Sequence, residues 1–164
     1  MKPEIIYLAK DRYTQAHTHY DQAVQKAARI ITLIALIIGL LTIVVALFSD
    51  SIFSPQGLLD WTILICQIGS LFSLICAWGH ALLAIKFGSL HPPKLSKHEF
   101  DHLQEASREA MYRHILNCYV EPTEELAAIN TQKEKYLTFS YQELAIGGYL
   151  LAVMFMLLFL KEIL

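Results

Sequence analysis

One segment of the chain matches a catalytic motif in both residue type and spacing. His98-Glu99-Phe100-Asp101-His102 fits the pattern H-E-x-x-H. On a helix its two histidines lie on one face and can bind zinc, while the glutamate acts as the general base of a metalloprotease. A third ligand would have to come from Glu121 or Glu124, and nothing in the sequence fixes either of them near the motif.

A capping box explains the same residues without catalysis. Ser96-Lys97-His98-Glu99 is also S-x-x-E, in which Ser96 caps a helix and Glu99 reaches back to the Ser96 amide. The motif would then lie in an exposed first turn, whereas a metalloprotease needs it in a supported helix. We therefore favour the structural interpretation and predict no enzyme activity, no bound metal and no cofactor.

Polar side chains inside apolar sequence form a second group with chemical potential. Gln67, Ser70, Ser73 and His80 fall within an arc of about 140° if residues 61–85 are helical. Such an arc can line a pore or pack against a neighbouring helix, and serine can also bond its own backbone. Glu143 precedes the last apolar stretch. It can ring the mouth of an assembly or lie at the lipid headgroups.

Three apolar stretches set the fold class. Residues 30–48, 61–85 and 144–160 contain no Asp, Glu, Lys or Arg. Each is close to the roughly 20 residues that cross the hydrocarbon core of a bilayer. With 55% hydrophobic and 17% charged residues, the composition is that of a membrane protein. We predict an all-α, three-pass transmembrane protein with long cytoplasmic helical stalks.

The basic residues predict the orientation. Residues 1–29 contain five Lys or Arg and residues 86–143 contain seven, whereas Lys161 alone follows the last span. By the positive-inside rule, both basic segments face the cytoplasm and the C-terminus faces the opposite side of the membrane. The predicted units are an N-terminal helix at 1–29, two spans within 30–86, a cytoplasmic segment at 87–143 and a third span at 144–164.

Helical periodicity extends beyond the spans. A seam of mostly small and aromatic side chains, spaced alternately three and four residues apart, follows one face of the N-terminal helix: Ile6, Ala9, Tyr13, Ala16 and Tyr20. No Gly or Pro interrupts residues 4–38, so one helix of about 45 residues should continue into the first span. The seam packs either on other helices of the same chain or on neighbouring subunits. A separate helix is predicted from about Lys97 to Tyr119, and another from Pro122 into the last span.

Small residues at four-residue steps predict close helix association. They comprise Gly69, Ser73, Ala77 and Ala81 in the second span, Ala35 and Gly39 in the first, and Gly148 and Ala152 in the third. Such ridges drive helix contacts in membranes. Three helices enclose no aqueous path, so conduction would require several copies around an axis. We therefore expect a symmetric homo-oligomer, with a tetramer favoured.

Basic residues of the cytoplasmic segments suggest an anion- or oligonucleotide-binding surface. They are Lys94, Lys97, Arg108, Arg113, Lys133 and Lys135. Residues 86–143 also contain nine acidic residues, and the net charge is −2. A solvated mixed-charge surface is therefore the competing interpretation.

The order of elements resembles a family of small membrane effectors of bacterial antiphage defence. Ile6-Tyr7-Leu8-Ala9-Lys10-Asp11-Arg12-Tyr13, then Tyr20-Asp21 and Lys26-Ala27, are similar to the opening of SLATT-like effectors associated with nucleotidyltransferases. Tyr119, residues 125–130, Lys133 and Lys135 resemble their closing segment. Within this group the chain is most similar to the membrane protein of Hailong systems, the partner of a nucleotidyltransferase that makes single-stranded DNA oligomers.

The resemblance implies a location, the bacterial inner membrane with the C-terminus in the periplasm, and a function. It implies a tetrameric ion channel with an electronegative N-terminal plug, held inactive by the oligomer and released during infection to depolarise the cell. Glu4, Asp11 and Asp21 would then be the plug residues. We predict an oligomeric channel gated from the cytoplasm by a single-stranded DNA oligomer or a cyclic nucleotide. The alternatives are a non-conducting sensor or scaffold and, less favoured, the zinc protease.

Overall fold

The computed structural model describes residues 4–47, 55–88 and 107–163. This part of the chain forms three helices: α1 (Glu4–Leu47), α2 (Leu58–Lys86) and α3 (Arg108–Ile163). Each helix is long and apolar enough to cross a membrane. The predicted all-α fold with three membrane-crossing helices is confirmed.

The first and third helices are much longer than a bilayer requires. α1 contains 44 residues and α3 contains 56, which correspond to about 66 Å and 84 Å at 1.5 Å per residue. α2 contains 29 residues, or about 43 Å. A hydrocarbon core of about 30 Å accommodates only part of α1 and α3. Both helices therefore extend beyond the hydrocarbon core.

The prediction of a helix boundary at Pro122 is wrong, because α3 passes through this residue without a break. A proline lacks the N–H that would donate one turn back, and its ring crowds the preceding turn. The hydroxyl of Thr123 donates to the Tyr119 carbonyl at 2.6 Å. This hydrogen bond lies next to the backbone bond that Pro122 cannot make. The start of α3 is capped instead at Ser107, whose Oγ accepts the Ala110 N–H at 3.3 Å. The capping box predicted at Ser96 lies outside the described residues.

Side-chain contacts fix which parts of the helices lie level with one another. α2 runs antiparallel to α3, since Asp60 contacts Lys161, Ser73 contacts Glu143 and Ala84 contacts Lys133. Tyr20 of α1 contacts Gly88, just after the end of α2. Within the described residues, α1 and α3 pair with each other beyond this point. We call this pair, residues 4–20 and 108–132, the two-helix extension.

Small residues of α2 allow the three helices to approach closely. Ser73, Ala77 and Ala81 are almost fully buried, and they face Ser140 and Glu143 of α3. A side chain at Gly147 would contact Leu74 and the Ser70 carbonyl. The predicted ridge on α2 is thus used inside one chain. The pairs on the other two helices remain at the surface: Ala35, Gly39, Gly148 and Ala152.

Enlarging the buried ridge should destabilise the fold. Ala81 is completely buried, so Ala81→Leu forces extra methylene groups into a packed contact, at a cost of about 1–3 kcal/mol. Thermal unfolding of the purified protein in detergent would measure this as a lower Tm. Ala46→Leu, at an exposed position of α1, is the matched control and should leave Tm nearly unchanged. Equal Tm values for the two variants would contradict the packing described here.

Candidate functional site

The interface between α2 and α3 carries a carboxyl group at the edge of the apolar region. The Ser73 hydroxyl lies 2.7 Å from the Glu143 carbonyl oxygen and 3.0 Å from its Oε2, and it can donate to either. Glu143 is only partly buried. Lys161 lies about 27 Å from Glu143 along α3, a distance close to the thickness of the hydrocarbon core. Glu143 and Lys161 therefore lie near its two edges. A half-exposed carboxylate at this depth can bind a cation.

The other predicted pore residues lie mostly inside the chain. Gln67, Ser70 and Ser73 are at most 5% exposed. Within the described part of the chain, Gln67 Oε1 and Ser70 Oγ have no hydrogen-bond partner. His80 is partly exposed, and its ring lies 5.5 Å from that of Phe139 and 6.5 Å from that of Tyr136. In this conformation only His80 and Glu143 reach the surface, so a pore lined by the other three stays a prediction.

A buried lysine holds the end of α2. Lys133 is fully buried, and its Nζ donates to the carbonyl oxygens of Ala84 at 2.5 Å and Ile85 at 3.2 Å. The last carbonyls of a helix lack partners within the helix and carry partial negative charge, so an ammonium group is favourable there. The Tyr20 ring lies below the same ammonium group, 4.4 Å from ring centroid to Nζ. Burial lowers the pKa of Lys133, because desolvation disfavours the charged form.

The chain just after α2 completes this junction. The Tyr20 hydroxyl donates to the Gly88 carbonyl at 3.2 Å. Gly88 has a φ of +80°, and a Cβ placed there would lie 2.7 Å from Ile129 Cγ2. Only glycine fits both the left-handed backbone and the close approach. We call this arrangement of Tyr20, Gly88 and Lys133 the three-helix junction. Lys133, which was predicted to lie on an anion-binding surface, lies instead inside this junction.

A second lysine joins α2 and α3 at their opposite ends. Lys161 Nζ lies 2.6 Å from Asp60 Oδ1, and the Gln56 N–H donates to Asp60 Oδ2 at 3.1 Å. Donation from Lys161, and then from Gln56, lowers the pKa of the Asp60 carboxyl below its usual value. The carboxylate therefore stays ionised at neutral pH. Its position in the first turn of α2 also suits the positive end of the helix dipole.

The predicted seam of α1 packs on α3 of the same chain. The rings of Tyr13 and Tyr119 meet edge to face at 6.0 Å, and Asn130 Nδ2 donates to the Ala16 carbonyl at 2.8 Å. Ala9 is buried, while Ile6 is half-buried. These contacts match the first of the two alternatives that the sequence left open. A contact of the same seam with a neighbouring subunit stays a prediction.

The predicted plug residues are exposed and are not gathered together. Glu4, Asp11 and Asp21 are spread over about 25 Å of α1. Asp11 accepts a hydrogen bond from Gln15 at 3.0 Å, and Asp21 lies 4.0 Å from His17 Nδ1. Nothing in these contacts favours or opposes a plug.

The predicted anion-binding residues are dispersed. Lys94 and Lys97 lie outside the described residues, as does the H-E-x-x-H segment, and Arg108 begins α3. Arg113 pairs with Glu109 at 3.3 Å, and Lys135 lies over the Phe139 ring at 5.9 Å. Within residues 4–47, 55–88 and 107–163, the structure forms no cluster of three metal-binding side chains.

Comparison with known families decides the broad class of this protein. The family model PycTM, described as the Pycsar effector protein domain, matches residues 8–161. The chain belongs to this family. The resemblance to a small membrane effector of antiphage defence is thereby confirmed, whereas the narrower likeness to Hailong systems stays a prediction. No curated protein and no solved structure matches the chain.

Removing the buried ammonium group should loosen the three-helix junction. Lys133→Met preserves much of the side-chain length but leaves the Ala84 and Ile85 carbonyls without their donor, at a cost of roughly 1–3 kcal/mol. A lower Tm in detergent would report the loss. Lys135→Met, two residues away and exposed, should change Tm little. Identical melting curves for the two variants would show that Lys133 does not hold α2.

Proposed function

We propose that several copies of this chain assemble in the bacterial inner membrane into an ion channel that a nucleotide signal gates from the cytoplasm. Opening the channel depolarises the infected cell and ends phage replication with it. Membership of the Pycsar effector family supports the setting, a membrane effector of antiphage defence. The observation that carries the channel itself is Glu143, a carboxyl group half-exposed at the edge of the apolar layer.

Assembly is required because one chain has no room for ions. Among the described residues, the centre of the bundle is filled by apolar side chains such as Ile34, Ile63, Leu74 and Met154, each at most 1% exposed. A conducting path must therefore lie between copies. Of the predicted pore residues, Glu143 and His80 reach the surface and can line it.

Two small-residue pairs favour contact between copies. A Cβ added at Gly39 or at Gly148 would meet no atom within 4 Å, and Ala35 and Ala152 are also exposed. Small residues that serve no contact within the chain leave its backbone open to close approach by another helix. We propose these two faces as the contact between neighbouring subunits. A tetramer is the assembly that the family resemblance implies.

Orientation follows from the basic residues. The two-helix extension contains Lys10, Arg12 and Arg113, and Lys161 is the single basic residue after the apolar part of α3. The positive-inside rule then places the extension in the cytoplasm and the C-terminus in the periplasm. A signal made in the cytoplasm would meet the extension first.

A cyclic nucleotide is the gating ligand we favour. Pycsar effectors respond to cyclic nucleotide signals, which agrees with one of the two ligands predicted from the sequence. The single-stranded DNA oligomer is the other ligand to be tested. A non-conducting sensor or scaffold would use the same extension but would need no outward small-residue faces.

Conduction should depend on those faces. In cells stained with a potential-sensitive dye, expression of the protein together with its activating signal should cause depolarisation. Gly39→Leu combined with Gly148→Leu should abolish it and yield a smaller species in detergent. Thr62→Leu, at an exposed position of α2 and outside both faces, should leave it intact. A wild-type chain that assembles without conducting would support the scaffold, and a persistent monomer would rule out the channel.

Glu143 should set the preference for cations. Glu143→Gln removes the charge but keeps an acceptor for the Ser73 hydroxyl, so the fold should be retained. Across a lipid bilayer with a KCl gradient, the reversal potential of the variant should shift towards zero. Glu134→Gln, exposed on the same helix, should leave it near the wild-type value. A reversal potential unaffected by Glu143→Gln would remove this residue from the conducting path.

A further inference from the structure

A groove separates α1 and α3 within the two-helix extension. It is lined by Ala9, Arg12, Val120, Thr123 and Glu124. The groove encloses about 120 Å³ and is open to solvent on one side. It is smaller than a pocket that encloses a whole ligand, so it can hold one part of a nucleotide while the rest stays in solvent.

Arg12 is the cation of this groove. Its side chain is exposed, and among the described residues it makes no hydrogen bond or ion pair. Arg113 on α3 differs, because it is engaged with Glu109. A free guanidinium group can bind a phosphate with two parallel hydrogen bonds. Within the described residues, the groove therefore presents a guanidinium group that no ion pair occupies, although the Glu124 carboxylate lines the same groove.

The remaining walls suit a base. Ala9 and Val120 supply apolar surface from the two helices, and Val120 is 40% exposed. Glu124 is an exposed carboxylate that can accept hydrogen bonds from the amino or ring N–H groups of a base. The groove thus combines a cation for the phosphate, an apolar surface for the base and a hydrogen-bond acceptor for the N–H groups of the base.

The groove is also placed to act on the membrane part. Its walls come from both α1 and α3, and the next contacts along the pair are Tyr13 with Tyr119 and Ala16 with Asn130. The three-helix junction follows one turn later, at Tyr20. A ligand held by both walls favours one relative position of α1 and α3, and it shifts the equilibrium by its difference in affinity for the two positions.

We propose that this groove binds one cyclic mononucleotide, with Arg12 on the phosphate and Glu124 on the base. The proposal rests on the proposed function and assigns its gating site. Because the phosphate diester carries one negative charge, Arg12 supplies most of the affinity and Glu124 contributes to the choice of base.

Binding to the full-length protein in lipid nanodiscs tests the site. The 3′,5′-cyclic monophosphates of uridine, cytidine, adenosine and guanosine would each be titrated by isothermal calorimetry. At least one should bind, at least tenfold more weakly to Arg12→Ala than to wild type, with partial recovery in Arg12→Lys. Arg113→Ala is the matched control and should bind as wild type does. Glu124→Gln should change the order of preference among the four bases.

Further arms separate the possible outcomes. The proposed site would be overturned if inorganic phosphate or a short single-stranded DNA bound to the protein while none of the four cyclic nucleotides did. Equal affinity of wild type and Arg12→Ala would also overturn it. Depolarisation is measured separately. If Arg12→Ala binds the nucleotide as wild type does and still conducts, the groove is refuted and the channel is not. If binding depends on Arg12 but the wild-type protein never conducts, the channel is refuted and the groove is not. Since Arg12 is exposed, unchanged Tm values should confirm that each variant is folded.

Discussion

The ammonium group of Lys133 is the interaction on which the arrangement of all three helices depends. It belongs to α3, it neutralises the carbonyl end of α2, and it lies on the Tyr20 ring of α1. A buried charge is tolerated only when its donors are satisfied, so its partners must stay in place as long as it is buried. The same geometry needs a residue without a side chain at position 88, where α2 ends against Ile129. One cation thereby sets the level at which, among the described residues, the bundle of three helices becomes a pair.

Some small residues pack between helices of the same chain, and others lie on its surface. On α2 they let α3 approach until Ser140 can donate to the Ala77 carbonyl at 2.7 Å. On α1 and α3 the pairs at Gly39 and Gly148 face outward. In lipid, close packing is a main source of helix association, because hydrocarbon offers no hydrophobic driving force between helices. Two kinds of contact, one within and one between chains, can therefore arise from the same sequence pattern.

Sequence alone predicted the spans and the uninterrupted course of α1, because apolar length and the absence of helix breakers are local properties. It failed at Pro122, where packing on α1 and the Thr123 hydroxyl support a helix that local preference would end. It could not separate Lys133 from Lys135, since only the position of α2 makes one buried and the other exposed. The groove at Arg12 was missed for the same reason: its walls are over a hundred residues apart in the chain.

The distribution of polar contacts indicates which helix can move. α2 and α3 are joined at one end by Asp60 and Lys161 and at the other by Lys133, with Ser73 and Glu143 between them. Across the apolar layer, α1 contributes Ile30, Ile34 and Leu41 to the core, and its described hydrogen bonds to the other helices lie at Ala16 and Tyr20. Apolar packing slides more readily than a fixed set of hydrogen bonds. Within the apolar layer, α1 is therefore the helix held least by polar contacts, and the outward face at Gly39 belongs to it.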